Sequence, residues 1–312
     1  MSALSPPDSF DTRFDWLRLN AAGEADRRLL DRIYADRAML LEKRTPPPDE
    51  WLPPLTVAGL RVRLPRRSAP ASLDSLVEHL RDRVHARVPG FSASHAAVIV
   101  DVGANEGIYA ACRFTENPAV RILSIEPVPK SFAVLIETVA GNSRAPSANR
   151  RSRFTAVLGL AADPTMARLP AVDVIEWSPQ VSTIASRTLS SRGPRWVRAL
   201  STEYLYCPVI SVDALCAVNR VECIDVLKID VEGDELRVLA GSRHALRRTK
   251  RVVVEFHGRR NASGCKAVLE ACGFRIVHAD ARPVGDLYAE RPATGGSLQD
   301  GYEEITDRCA DE

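Results

Sequence analysis

The 312-residue sequence has no long hydrophobic run and almost no net charge. Its apolar runs, such as 96–100, are far shorter than the roughly 20 residues that a membrane-spanning helix needs, so no membrane span is expected. Lysine and arginine total 42 against 40 acidic residues, and this balance gives no reason to expect a nucleic-acid or membrane-surface partner. The sequence does not start with a basic stretch followed by an apolar one, so a secretory signal is not expected. We expect a cytoplasmic location instead.

The cysteines and histidines do not have the spacing of a metal or disulfide protein. The seven cysteines are an odd number without a Cys-x-x-Cys pair, which does not suit a disulfide framework or a structural zinc site. The six histidines show no His-x-x-x-His pair. We therefore expect free thiols and no structural zinc.

Three segments differ in their hydrophobic pattern. Residues 1–94 are expected to form a mainly helical extension that includes a helix over 72–87 and a strand over 56–64. This extension is expected to serve as a lid or as a contact between copies of the chain. Residues 95–290 alternate short apolar runs with helical stretches, which indicates a parallel sheet. Residues 291–312 are expected to form a polar tail.

The core pattern predicts an α/β fold with a mostly parallel seven-stranded sheet and helices on both faces. The predicted strands are 97–102, 120–125, 153–159, 224–229, 251–256, 274–279 and 286–290. The predicted helices are 105–114, 129–140, 234–248 and 263–272. The stretch 163–208 fits neither period and is expected to be an insertion over one edge of the sheet.

A glycine-containing turn follows the first core strand. Gly103 and Gly107 let the chain turn tightly and let a ligand approach the backbone. Asp101 either orders this loop or reaches an amino group of the ligand. The spacing Asp-x-Gly-x-Asn-x-Gly differs from the Gly-x-Gly-x-x-Gly of nicotinamide-binding proteins, which disfavours an oxidoreductase or epimerase. A plain strand-to-helix turn is the alternative.

An acidic residue, Glu126, ends the second core strand. In Rossmann-like folds a carboxylate at this place accepts hydrogen bonds from the two ribose hydroxyls. Pro127 and Pro129 stop the strand and start the next helix, which fixes where Glu126 points. Combined with the glycine loop, Glu126 indicates a nucleoside site rather than a simple turn.

Ionisable residues also end two later strands. Lys228, Asp230 and Glu232 lie at and just beyond the end of a buried strand, at the edge where ligands of open α/β sheets bind. Lys228 and Asp230 share one side of that strand, and an ion pair that holds the loop is the alternative to a chemical role. Glu255 and His257 end the next strand. His257 is a candidate acceptor for a substrate proton, because histidine titrates near neutral pH, and a histidine satisfied in the core or facing solvent is the alternative.

These motifs together resemble the FkbM-type family of S-adenosylmethionine-dependent methyltransferases, over about residues 96–290. The segments that carry the resemblance are 101–107, 126–127, 212–215, 227–233, 238–241 and 254–255. The resemblance implies a class I methyltransferase fold and methyl transfer, usually to oxygen on sugars or other natural products. It also implies that S-adenosylmethionine is held by Asp101, Gly103, Ala104, Asn105, Gly107 and Glu126.

Methyl transfer to a hydroxyl needs an aligned acceptor oxygen and is helped by a base. We hypothesise that His257, Asp230 or Glu255 takes the proton and that Lys228 orients a partner carboxylate. A second hypothesis places Mg²⁺ on Asp230, Glu232 and Glu255, and it is less favoured because carboxylates at strand ends more often pair with lysine or arginine. A third is a non-catalytic scaffold that keeps the fold. The expected substrate is a small molecule or a glycan, with N-methylation left open.

Overall fold

The computed structural model describes residues 10–43, 47–143, 153–163, 171–174, 183–185 and 203–292. The helices are α1 (Phe10–Leu19), α2 (Glu24–Lys43), α3 (Ala69–Leu80), α4 (Ile108–Glu116), α5 (Pro129–Asn142), α6 (Val212–Val218), α7 (Glu235–Ala240), α8 (Arg243–Arg247) and α9 (Arg259–Ala271). The strands are β1 (Leu55–Val57), β2 (Leu60–Val62), β3 (Val98–Val102), β4 (Arg121–Glu126), β5 (Phe154–Leu158), β6 (Leu160–Ala161), β7 (Ala171–Val174), β8 (Thr183–Ala185), β9 (Glu203–Tyr206), β10 (Val209–Ile210), β11 (Ile224–Asp230), β12 (Thr249–His257), β13 (Arg275–Ala279) and β14 (Val284–Glu290).

Seven strands form the central sheet, in the order β13-β14-β12-β11-β3-β4-β5. The strands β12, β11, β3, β4 and β5 pair in parallel, whereas β14 runs antiparallel to both of its neighbours. The predicted mostly parallel, seven-stranded sheet is therefore confirmed. All seven predicted core strands are present, with ends that differ by no more than two residues from the prediction.

The two faces of the sheet are covered by different helices. On β11, Leu227 packs among residues of α6 to α9, whereas Val226 packs on the opposite face with Tyr109 of α4 and Leu135 of α5. Alternate residues of a strand share a face, so the same rule places the polar strand ends. Those that belong to the α4–α5 face are Asp101, Glu126, Lys228, Asp230, Glu255 and His257.

The N-terminal extension packs directly on this α4–α5 layer. Its helices and its hairpin share an apolar cluster with Ile108 of α4 and Val134 of α5. The prediction of a single strand over 56–64 is wrong, because β1 and β2 form a hairpin joined by Ala58 and Gly59. Both turn residues have positive φ, which suits the two-residue turns that join antiparallel strands.

Two predicted helices near the site have different bounds. The helix predicted over 72–87 is α3, which ends seven residues earlier, and Arg83 and His85 beyond it adopt positive φ. A residue in that conformation cannot continue a right-handed helix. The helix predicted over 105–114 begins only at α4, because the preceding residues form a turn with three positive φ values.

The helix predicted over 234–248 is divided into α7 and α8. Gly241 lies at the break, where a Cβ atom would come within 2.7 Å of the carbonyl oxygen of Ala162. The carboxylate of Asp213 then accepts hydrogen bonds from the amides of His244 and Ala245, at 3.0 and 2.6 Å. This long-range cap satisfies the first amides of α8, which a continuous helix would not leave open. The last predicted helix, α9, begins four residues earlier than expected.

The two ends of the inserted segment 163–208 lie next to each other in the fold. Strand β6 before it pairs in parallel with β10 after it, and between them β8-β7-β9 form an antiparallel sheet. The rest of the segment and the tail from residue 293 lie outside the described residues, so the position of the insertion over one edge stays a prediction. Within the part of the chain that the structure describes, no helix has the length and apolar character needed to cross a membrane.

Candidate functional site

The turn between β3 and α4 is held in an unusual backbone conformation. Gly103, Asn105 and Gly107 have φ values of +72°, +47° and +75°. A Cβ atom at Gly103 would lie 1.7 Å from the carbonyl oxygen of Asp230. Only glycine fits such a close approach of two main chains, so the turn is fixed against the end of β11.

Main-chain hydrogen bonds join the same turn to β4. The amides of Gly103 and Ala104 both donate to the carbonyl oxygen of Ile125 at 3.0 Å. The amide of Asn105 donates to Oε2 of Glu126 at 2.8 Å. The side-chain Oδ1 of Asn105 is buried and accepts no hydrogen bond from the described residues. The predicted loop and the predicted acidic residue therefore form one polar cradle.

Glu126 is 5% exposed and lies at the centre of this cradle. Its Oε1 accepts a hydrogen bond of 2.9 Å from the amide of Val128. Burial raises the pKa of Glu126 to about 7, although the amides of Val128 and Asn105 act in the opposite direction. Each carboxylate oxygen can accept a second hydrogen bond, so Glu126 retains capacity for the hydroxyls of a ribose.

Lys228 connects the turn with two carboxylates. Its Nζ donates to the carbonyl oxygen of Gly103 at 2.7 Å and lies 3.3 Å from both Asp101 Oδ1 and Asp230 Oδ2. Burial lowers the pKa of Lys228, but Asp101 and Asp230 raise it by more. Lys228 therefore keeps its proton near neutral pH. Lys228 therefore forms ion pairs that hold the loop. Asp101 is fully buried and orders the loop through its contact with Lys228.

The remaining polar groups divide into partly exposed and buried side chains. The exposed fractions are 25% for Asp230, 29% for Glu232, 27% for Glu255 and 19% for His257. Three of these four partly exposed side chains each contact a side chain that is at most 3% exposed. These pairs are Asp230 with Lys228, Glu255 with His85, and His257 with Glu235. The division separates groups that a substrate can reach from groups that orient them.

His257 lies between two carboxylates. Its Nδ1 is 2.8 Å from Glu235 Oε1, and its Nε2 is 3.2 Å from Glu232 Oε2. Burial lowers the pKa of His257, but Glu235 and Glu232 outweigh this and raise it to about 10. Glu235 is itself fixed by the side-chain amide of Asn261 and by the main-chain amide of Gly233. His257 is therefore oriented on one side and protonated at neutral pH.

The predicted metal ligands are divided between two clusters. Within the described residues, the sets whose potential ligand atoms lie within 4.8 Å of one another are His85, Asp230 and Glu255, and Asp230, Glu232 and His257. Asp230 belongs to both sets and also contacts the ammonium group of Lys228. A cation next to the shared ligand opposes a dication there, although the ligand types themselves suit one.

Three supporting residues were missed by the sequence analysis. Glu235 follows Glu232 in the same motif, and its place at the start of α7 beside a strand end was an available signal. His85 contacts Glu255 across 170 positions of sequence, and Asp286 lies on β14, antiparallel to the strand that carries Glu255. No local pattern marks these two residues.

Residues 101–276 match the family model described as the methyltransferase FkbM domain, which is more than half of the 312 residues. The chain belongs to the FkbM methyltransferase family. A curated relative, the 31-O-demethyl-FK506 methyltransferase FkbM of Streptomyces tacrolimicus, is 28% identical over 214 residues, which are 64% of this chain and 80% of the relative. The predicted family membership is confirmed, and the sheet order is that of the S-adenosylmethionine-binding, Rossmann-like class I methyltransferase fold.

Solved structures resemble this FkbM-family chain only weakly. A fibrillarin/Nop5p complex matches with a TM-score of 0.38 and 15% identity, over 70% of this chain and 81% of that one. Aeropyrum pernix fibrillarin, in complex with natively bound S-adenosylmethionine, matches with a TM-score of 0.37 and 15% identity, over 69% and 74%. The fold and family of this chain rest on its own strand order and on the family match instead.

Proposed function

We propose that this methyltransferase uses S-adenosylmethionine to methylate a hydroxyl oxygen on a sugar, a glycan or another natural product. The observation that carries the proposal is the hydrogen bond from the Asn105 amide to Glu126, which joins the turn after β3 and the acid ending β4 into one cradle. The printed name of the Streptomyces tacrolimicus relative, a 31-O-demethyl-FK506 methyltransferase, supports an oxygen acceptor.

The residues of the cradle suit the two ends of the donor. Glu126 is placed to accept hydrogen bonds from the ribose hydroxyls, as acidic residues at this position of Rossmann-like folds do. The main chain at Gly103 and Ala104 and the unsatisfied Oδ1 of Asn105 then border the rest of the donor. Gly107 instead lets the turn pack against Leu135 of α5, where a Cβ atom would come within 2.5 Å. Asp101 and Lys228 keep this loop in place.

The charge of the site also favours this donor. Its acidic side chains are Asp101, Asp230, Glu232, Glu235 and Glu255. Its cations near neutral pH are Lys228 and the protonated His257, so acidic groups outnumber cations. A bound S-adenosylmethionine supplies an activated methyl group on a positively charged sulfonium. Nearby carboxylates stabilise a positive charge in a partly desolvated cleft, so the chain should bind the charged donor well.

We assign the proton acceptor to Glu255 among the three predicted bases. Burial would raise the pKa of Asp230, but Lys228, His85 and His257 lower it overall, which makes this carboxylate a weaker base. His257 already carries a proton between Glu235 and Glu232. Glu255 is partly exposed and uses only Oε2 in its hydrogen bond with His85, so its other oxygen is the group that we assign to the acceptor hydroxyl.

The proposal is tested first by donor binding and then by methyl transfer. We expect S-adenosylhomocysteine to bind the purified chain in calorimetry and a labelled methyl group to appear on oxygen in one member of a panel of sugars, cyclic diols and macrolide alcohols. Absence of binding would favour the scaffold hypothesis instead. A methyl group found on nitrogen would contradict the assignment of the acceptor while leaving the donor site intact.

The role of Glu255 is tested by Glu255→Gln, which keeps the size of the side chain but removes its basicity. We expect kcat to fall by about 10²-fold or more, with the affinity for S-adenosylhomocysteine within a few-fold of the wild type. Glu290→Gln is the matched control. Glu290 ends β14, far from Asp286, the β14 residue that lies opposite Glu255, and it pairs with Arg275. An unchanged kcat in Glu255→Gln would remove Glu255 from the mechanism.

A further inference from the structure

The segment between α3 and β3 brings a histidine of the N-terminal extension to the ends of the core strands. His85 is 1% exposed and has a φ of +67°, a conformation that residues other than glycine rarely adopt. Nearby, the guanidinium of Arg87 lies 2.7 Å from Asp280 Oδ2 and 3.1 Å from Asp286 Oδ2. These ion pairs attach the segment to the antiparallel edge of the sheet. The segment lies before residues 101–276, which match the family model.

His85 contacts the carboxylate that we assign to proton transfer. Its Nε2 lies 2.9 Å from Oε2 of Glu255 and 3.5 Å from Oδ1 of Asp286. The imidazole ring packs edge-on against Tyr109 and beside His79, with centroid distances of 6.1 and 5.6 Å. The ring therefore lies in an aromatic environment that is almost fully shielded from solvent.

We propose that His85 is a positioning residue of the methyltransferase, and that its hydrogen bond from Nε2 fixes the Glu255 carboxylate for the acceptor hydroxyl. This inference rests on the proposed function. The acceptor O–H bond breaks and its proton passes to Glu255, while the oxygen bonds to the methyl carbon as the carbon–sulfur bond breaks, with its electron pair going to sulfur. His85 takes no part in these bond changes. The N-terminal extension thereby completes the catalytic centre, rather than serving only as a lid or a contact between copies.

The arrangement explains why a buried imidazole is suited to this place. Glu255 and Asp286 both lie at Nε2, so even a neutral imidazole places its single N–H on this nitrogen. The same two carboxylates outweigh the effect of burial and raise the pKa of His85. A carboxylate held on one oxygen loses the rotational freedom that would otherwise place its second oxygen away from the substrate. Correct placement of a catalytic group within a few tenths of an ångström is worth large factors in rate.

Three variants at this position separate positioning from simple packing. His85→Gln keeps a donor near the place of Nε2, whereas His85→Asn is polar but too short to reach Glu255, and His85→Leu removes the donor altogether. We expect kcat to fall roughly 10- to 100-fold in the Asn and Leu variants and to be largely rescued in the Gln variant. The affinity for S-adenosylhomocysteine should stay within a few-fold of the wild type in all three.

His79→Leu is the matched control. It also removes an imidazole from the extension beside Tyr109, but no hydrogen bond to Glu255 is lost. We expect its kcat to stay close to that of the wild type, with the acceptor that the labelled-methyl screen identifies. A fall in kcat as large as that of His85→Asn would show that packing alone accounts for the effect, and would overturn the inference.

A double-variant cycle with Glu255→Gln gives the decisive result. If His85 acts through Glu255, then His85→Asn added to Glu255→Gln produces no further fall in kcat, because the group to be positioned is already inactive. Falls that multiply would show an independent structural role and overturn the inference. An unchanged kcat in the Glu255→Gln variant alone would contradict the assignment of Glu255 as the base, and the inference about His85 would be overturned with it. If the wild type did not bind S-adenosylhomocysteine, that result would instead contradict the proposed function.

Discussion

The ammonium group of Lys228 donates a 2.7 Å hydrogen bond to the carbonyl oxygen of Gly103, and so ties β11 to the turn after β3. The same group neutralises Asp101 and Asp230, each 3.3 Å away. One buried cation therefore joins the proposed donor side of the site to the proposed acceptor side. Its removal should affect stability and donor binding together.

Lys228→Met should destabilise the protein by about 3–5 kcal/mol, because it leaves the buried Asp101 and the partly exposed Asp230 without their cation. The midpoint of urea unfolding measures this loss, and calorimetry with S-adenosylhomocysteine measures the expected loss of affinity. Lys266→Met is the control, since Lys266 pairs with Glu270 on the exposed surface of α9. Such a pair contributes about 1 kcal/mol or less. Equal effects of the two substitutions would contradict the role of Lys228.

Gly103→Ala should prevent the turn from closing on β11. The added Cβ would meet the carbonyl oxygen of Asp230 at 1.7 Å, so the main chain must move, and we expect a loss of about 4 kcal/mol or more in the free energy of unfolding. Gly59→Ala is the matched control, because Gly59 has a similar φ of +80° but nothing within 4 Å of the added atom. It should cost about 1–2 kcal/mol, which is the cost of the left-handed backbone conformation for a residue with a Cβ atom. Similar losses in both variants would mean that strain, and not the clash, explains Gly103.

Glu126→Gln should weaken S-adenosylhomocysteine binding by roughly 10- to 100-fold, as expected for the loss of a charged hydrogen-bond acceptor. Because the pKa of Glu126 is raised to about 7, the wild-type affinity should also fall as the pH is lowered through 7. Calorimetry between pH 6 and 8 measures both effects. The Gln variant should lack this pH dependence, and an identical pH dependence in the two proteins would assign it to another group.

His257 should make stability depend on alkaline pH. Its folded-state pKa, about 10, is above the ordinary value, so its contribution is fully present below about pH 6.5 and is lost as the pH rises through 10. His257→Asn keeps a donor for Glu235 but cannot carry the charge. Urea unfolding at pH 6 and pH 10 should show the advantage of the wild type shrinking, by on the order of 2–4 kcal/mol. An advantage that is constant with pH would contradict the raised pKa.

Metal removal should leave methyl transfer intact. The two candidate ligand sets share Asp230, which already has Lys228 as its cation. We therefore expect full activity after treatment with EDTA and no stimulation by added Mg²⁺. Activity that is lost in EDTA and restored by Mg²⁺ would favour the metal hypothesis and place a diol substrate on these ligands.

The contact between the glycine turn and Glu126, where we propose that the donor binds, was predictable from sequence because each of its elements is local. Gly103 and Glu126 each stand directly after an apolar run, and parallel strands bring such ends to one edge of a sheet. The break at Gly241 was not predictable, since it depends on the packing of Ala162 and on a cap from Asp213. The roles of Lys228 and His257 also required the structure, because their charge states depend on neighbours that no sequence spacing reveals.

The sequence by itself determined the parallel sheet, the glycine turn and the acidic strand ends, because periodicity and strand-end chemistry act over a few residues. Only the tertiary structure decided which of these polar groups a substrate can reach and which stand behind them. His85 shows the reason most clearly. Its distance from Glu255 along the chain is 170 residues, and only the packing of the extension against α4 and β14 brings the imidazole to the carboxylate.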